Sequence, residues 1–111
     1  MAMSVMLLKI KQGKLQEWEK WCSKLSTEYL ESARETIVEE NLIRESCRIF
    51  QEGDQSYVVY IHETEGDAYS KLPANMSNPL NVEHFRKFHE CLEKIPLTSV
   101  AYDIQAKTPT V

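Results

Sequence analysis

Three glycines in 111 residues leave little material for loops that cradle phosphate. No GxGxxG or GxxxxGK[ST] run occurs, which excludes a nucleotide held by a Rossmann turn or a P-loop. GxSxG and HExxH are absent too, so neither a nucleophile elbow nor a helical zinc site is encoded. The cofactor set read from these motifs is empty. Cysteine is scarce, and Cys22, Cys47 and Cys91 are widely spaced. An odd, scattered set suits neither a disulfide framework nor a zinc ribbon. The three read as reduced thiols, mostly in a core, in a cytoplasmic protein. Basic charge is in deficit: 13 Lys and Arg face 17 Asp and Glu, a formal net charge of −4. Without a basic run such a chain is a poor partner for nucleic acid. The longest apolar stretch, Val5-Met6-Leu7-Leu8, is too short to span a membrane. Lys9 and Lys11 interrupt it and no positive n-region precedes it, so the start does not read as a signal peptide.

What is present is ordinary for a globular domain: 42% hydrophobic and 27% charged residues. The expectation is one domain over residues 1–111, with a core from about 4 to 105 and a tail from 106 to 111. Ser4 to Lys11 alternates as a strand, Met6, Leu8 and Ile10 on one face, Val5 and Leu7 on the other. Gln12-Gly13 ends it. From Lys14, Leu15, Trp18, Trp21, Cys22, Leu25 and Tyr29 fall within an arc of roughly 120° on a helical wheel. Helical character resumes or continues through Glu31–Glu40. Strands over Ile43–Glu52 and Gln55–Glu63 meet at Gly53-Asp54, a two-residue hairpin turn. That register sets Glu45 opposite His62, Cys47 opposite Tyr60 and Ile49 opposite Val58. Thr64 to Asn78 is a long loop, the kind that often serves as a lid. A further helix starts at Asn78-Pro79 and ends before Pro96. The last predicted strand is Thr98–Gln105, with Val100, Tyr102 and Ile104 on one face.

The predicted fold class is therefore α+β, in the ferredoxin-like order β-α-β-β-α-β: a four-stranded antiparallel sheet with two helices on one face. The strands are apolar on both faces. Val5 and Leu7 back Met6 and Leu8, and Tyr57, Val59 and Ile61 back Val58 and Tyr60. Two helices cover one face only, and a bare apolar face marks an interface. The economical cover is a second copy packed face to face in a homodimer; in a monomer, tyrosines and the long loop would have to serve.

These features resemble the dimeric α+β barrel superfamily, which includes antibiotic-biosynthesis-monooxygenase-like proteins. A nearer similarity is to a small bacterial family of uncharacterised proteins. It is carried by Leu7-Leu8-Lys9-Ile10-Lys11-Gln12-Gly13-Lys14 before a Trp-bearing helix, by Ile43-Arg44-Glu45-Ser46-Cys47-Arg48-Ile49-Phe50, and by His84 and Cys91 within Glu83–Leu92. The resemblance covers roughly residues 5–104. It implies a fold and carries no established activity.

His84 lies inside the apolar arc of the last helix, where a half-polar ring needs a partner. It suits a general base or acid facing a pocket, and equally a satisfied core histidine. Glu45 and His62 face each other across the hairpin, as an oriented acid–base pair or as an ordinary cross-strand ion pair. With His84 they offer metal-ligating chemistry, but their spacing matches no local metal motif. Trp18, Trp21, Tyr60 and Tyr102 can line a ligand pocket or simply pack. Cys91, amid apolar residues, is a poor nucleophile. Four functions compete: a small dimeric barrel binding a metabolite; a cofactor-independent monooxygenase-like enzyme with His84 as base; a haem-binding relative with a histidine ligand; and a non-catalytic dimerisation module.

Overall fold

The computed structural model describes residues 1–95 and 99–106. Its order is β1 (Ala2–Ile10), α1 (Leu15–Leu25), α2 (Leu30–Glu39), β2 (Arg44–Glu52), β3 (Gln55–Thr64), α3 (Pro79–Cys91) and β4 (Leu92–Lys94). The four strands form one antiparallel sheet in the order β2-β3-β1-β4. The fold class is thus α+β, with three helices where the sequence reading counted two.

The split between α1 and α2 has a local cause. Ser26 Oγ and Thr27 Oγ1 donate back to the carbonyls of Cys22 and Ser23, and such bonds compete with the helical ladder. Tyr29 N–H then reaches back to the Lys24 carbonyl and the chain re-enters a helix. Asn41 ends α2 at φ 59°. The Leu42 N–H bonds to the Ile37 carbonyl and the Asn41 N–H to that of Val38. This is a Schellman closure, with asparagine in the left-handed position that glycine more often fills. Gly53, at φ 62°, lets the β2–β3 hairpin turn. At α3, the Asn78 side chain accepts from Leu80 N–H and Pro79 occupies the first turn, where its missing donor costs nothing.

The hairpin register is as expected: Glu45 pairs with His62, Cys47 with Tyr60 and Ile49 with Val58. Leu8, Ile10, Val58, Tyr60 and Leu92 from the sheet, with Trp18 and Trp21 from α1 and Cys91 from α3, form the buried core. The opposite face carries Met3, Val5, Leu7 and Phe50, all exposed, and Phe50 stacks on Tyr57 at 5.1 Å between ring centroids.

The C-terminal part departs from expectation. The last helix ends at Cys91 instead of running on towards Pro96, and the fourth strand is Leu92–Lys94, paired with Leu8–Ile10. Leu92 turns extended (φ −116°, ψ 151°), and Lys11 N–H caps the Cys91 carbonyl at 2.8 Å. Leu92 then lies buried beside Ile10, which a further helical turn would forbid. The strand predicted over Thr98–Gln105 is not formed by its described residues. Val100, Tyr102 and Ile104 keep 79%, 81% and 80% of their surface exposed. Thr98, and the predicted tail beyond Ala106, lie outside the described residues. Among the described residues no helix is long and apolar enough to cross a membrane.

Candidate functional site

A cavity of about 560 Å³ lies between the sheet and the helices. Met6, Tyr60 and His62 form its floor; Cys22 and Leu25 of α1, Ile37 of α2 and Leu80, His84 and Phe88 of α3 form its walls. The loop after β3 adds Lys71 and Met76. That loop is tied down: Lys71 Nζ lies 3.1 Å from Glu40 Oε1, Leu72 N–H bonds to the Glu40 carbonyl, and Asn41 Nδ2 donates to Ser70.

Among the polar groups lining the cavity, His84, Tyr60, Glu45 and His62 form hydrogen-bonded sets. Trp21 Nε1 donates to His84 Nδ1 at 2.8 Å. An indole N–H only donates, so Nδ1 is the bare nitrogen and the neutral ring carries its proton on Nε2. His84 Nε2 lies 3.3 Å from Tyr60 Oη, so in this tautomer the imidazole donates to the phenol. Burial pushes the His84 pKa down, an effect the His62 charge reinforces and the Glu45 carboxylate partly offsets. The ring is therefore neutral near pH 7, as the tautomer assignment requires. Burial also holds the Tyr60 hydroxyl well above its ordinary value, with the neighbouring Cys47 and Glu45 adding to it. Tyr60 is a lasting donor.

Beside this chain, His62 Nε2 meets Glu45 Oε1 at 2.7 Å, across the rung that the register set. Burial alone would raise the Glu45 carboxyl. The His62 hydrogen bond and the charges of His62, His84 and Lys71 together outweigh it, and the carboxyl stays below its ordinary range. The pair is an oriented carboxylate–imidazole dyad on the cavity floor.

The structure thus brings together His84, Tyr60, Glu45 and His62 on the cavity, while Trp21, predicted to line it, bonds to His84 without lining it. Trp18 is fully buried behind them and packs edge-on against Tyr60 and Phe88 without lining the cavity. Tyr102 does not reach the cavity. Among the described residues no three His, Cys, Asp or Glu side chains converge to hold a metal ion. Four residues were missed. Lys71 and Glu40 come from segments with no local pattern linking them. Cys22 and Cys47, read as mostly core, both line the cavity. The signal for Cys47 was its place opposite Tyr60 in the predicted hairpin.

With this geometry in hand, the chain can be placed among known proteins. The chain belongs to DUF6176, a family of unknown function. The match to the DUF6176 model runs over residues 1–106, which includes every element and every cavity residue described above. No curated protein and no solved structure matches the chain. Nothing in these comparisons ties it to monooxygenase-like proteins, and membership of DUF6176 brings no activity with it.

Proposed function

We propose that this protein binds a small, largely apolar molecule carrying one polar group, held in the cavity between helices and sheet. The observation that carries the reading is the cavity itself. Its roughly 560 Å³ falls within the range of about 300–1,000 Å³ typical of small-molecule sites. A mostly apolar lining includes one hydrogen-bonded polar cluster, His84–Tyr60 (with His84 held from behind by Trp21) and the Glu45–His62 dyad. Such a cluster orients a ligand's polar head while the walls take its apolar body.

We further infer that two copies associate through the bare sheet face, giving a dimeric barrel of ferredoxin-like units. Three strands of nine or ten residues and a fourth of three, about 4.8 Å apart, make a face of roughly 500 Å², more than half of the ~800 Å² per partner of stable interfaces. Met3, Val5, Leu7 and Phe50 supply its apolar part. Native mass spectrometry of freshly purified protein tests both claims. Two chains plus a reproducible small mass support them. A bare monomer refutes the dimer. Bare protein that takes up nothing from an extract of small apolar metabolites refutes the ligand site.

A second reading rests on the dyad alone: Glu45 and His62 are arranged for proton abstraction from a bound substrate without a nucleotide cofactor. Turnover lost in Glu45→Gln with binding retained is the result that would favour it.

A further inference from the structure

We propose that the cavity selects an uncharged molecule whose polar group is a hydrogen-bond-accepting oxygen, a carbonyl compound, held by the Tyr60 hydroxyl. The proposal rests on the small-molecule reading of the cavity and names the class of ligand.

The strong donors around the cavity are few and mostly spent. Among the described residues three hydroxyls line it, those of Ser26, Thr36 and Tyr60. Ser26 Oγ donates to the Cys22 carbonyl at 2.9 Å, and Thr36 Oγ1 donates to the Ala33 carbonyl at 2.7 Å. Asn81 Nδ2 donates to the Asn75 carbonyl at 3.0 Å and ties the loop to α3. The Cys22 and Cys47 thiols are weak donors.

Tyr60 differs. Trp21 can only donate, so His84 accepts at Nδ1 and gives its Nε2 hydrogen to the Tyr60 oxygen. The phenol is therefore an acceptor towards His84, and its own hydrogen is left over. Among the described residues Tyr60 Oη makes no second side-chain hydrogen bond. The side chain is 6% exposed and lines the cavity. A buried donor left unpaired is costly, and an oxygen on the occupant relieves that cost.

The charges around the space are paired off. Two carboxylates and one lysine line it among the described residues. Glu40 holds Lys71 at 3.1 Å and Glu45 holds His62 at 2.7 Å. His84 is neutral, and His89 is exposed with its ring against Phe85 at 4.2 Å between centroids. A ligand carboxylate or phosphate would lose its hydration and meet Glu45, a like charge, with no buried lysine or arginine of the lining unpaired to receive it. A ligand ammonium would exchange water for carboxylates that already hold their cations. A carbonyl needs no counter-charge and accepts the one hydrogen on offer. The apolar body packs on Leu25, Ile37, Leu80 and Phe88.

Four probes of similar body test this: butyrophenone, butylbenzene, phenylbutyrate and phenylbutylamine. Their dissociation constants for the full-length protein near neutral pH are measured by ligand-observed NMR. The ketone should bind at least about 30-fold more tightly than the carboxylate or the amine, because stripping water from an ion outweighs a single hydrogen bond. Tyr60→Phe should weaken butyrophenone by about 3–10-fold, the worth of one neutral hydrogen bond, and leave butylbenzene within about twofold. The lost His84 contact is common to both ligands and cancels. Circular dichroism checks that the variant folds. The parent protein gives a reading that needs no variant: the carbonyl infrared stretch of bound butyrophenone should lie lower than in hexane. Failure of all four probes to bind refutes the small-molecule cavity and this proposal together. Three results leave the cavity reading standing and overturn this one: carboxylate or amine binding as tightly as the ketone, equal loss of ketone and hydrocarbon affinity in folded Tyr60→Phe, or a bound carbonyl stretch at its hexane position.

Discussion

Trp21→Phe tests the keystone of the polar chain. Trp21 is 4% exposed and its N–H goes to His84 Nδ1 at 2.8 Å. Phenylalanine keeps most of the ring but deletes the donor. The imidazole nitrogen is then buried with no partner, which costs about 1–3 kcal/mol. The smaller ring also gives up a few tens of Å² of apolar contact, about 1 kcal/mol at ~25 cal/mol per Å². The sum is about 2–4 kcal/mol. At roughly 4 °C per kcal/mol for a chain of this size, Tm should fall by about 8–16 °C. Thermal unfolding by circular dichroism measures this. A double-mutant cycle with His84→Leu isolates the bond, since that partner replaces the orphaned nitrogen by carbon. The coupling should be at least about 1 kcal/mol. Nitrogen-15 spectra of the imidazole give an independent reading: His84 should show a bare Nδ1 and a protonated Nε2 in the parent, and a mixture of tautomers in Trp21→Phe. A drop of only a few degrees together with no coupling, or a parent protein protonated on Nδ1, would refute the whole donor chain.

Acid should weaken the fold in two stages. The His84 pKa is depressed from 6.5 by burial, so the unfolded chain takes the proton first and stability falls as pH drops below about 6.5. The Glu45 carboxyl lies below its ordinary 4.5, so its contribution is full above that value and is lost as pH falls through the lower, folded one. A Tm–pH series should show the first stage flattened in His84→Gln and the second in Glu45→Gln. If the proposed dimer forms through this face, Val5→Asp with Leu7→Asp should convert it into monomer by light scattering while the circular dichroism spectrum stays the same, because both side chains lie on the exposed sheet face. Replacing Val100, Tyr102 and Ile104 by serine should change stability in denaturant by no more than about 0.5 kcal/mol each, as expected for exposed positions. Val100, Tyr102 and Ile104 lose almost nothing because they cover almost nothing. Lys71→Met should leave the Glu40 carboxylate without its cation and speed protease cleavage within residues 65–78.

The local chemistry of the chain was legible wherever one rule acted alone. The alternation of Val5 to Ile10, the Gly53-Asp54 turn and the Asn78-Pro79 start each obey a short-range steric or hydrogen-bond constraint. The hairpin register followed from the turn, and with it the Glu45–His62 contact and the Cys47–Tyr60 rung. Residues near in sequence and joined by a tight turn have few alternatives, so pattern suffices.

Elsewhere several long-range demands compete, and the sequence does not rank them. Leu92 and Ile95 suit the apolar stripe of α3, and Val100, Tyr102 and Ile104 alternate like a strand. Which segment completes the sheet depends on what lies free beside Leu8–Ile10 once α3 has docked, and that place went to Leu92–Lys94. The role of Trp21 was equally hidden. A helical wheel puts it in the core, but only the packing of α1 on α3 sets its N–H against His84, 63 positions away. The same holds for Cys22 and Cys47, which both line the cavity. Sequence by itself determined β1, the β2–β3 hairpin with its register and the start of α3, because these depend on neighbours a few residues apart. Tertiary structure alone decided which strand closes the sheet and which nitrogen of His84 is bare, because each depends on the direction in which distant groups meet.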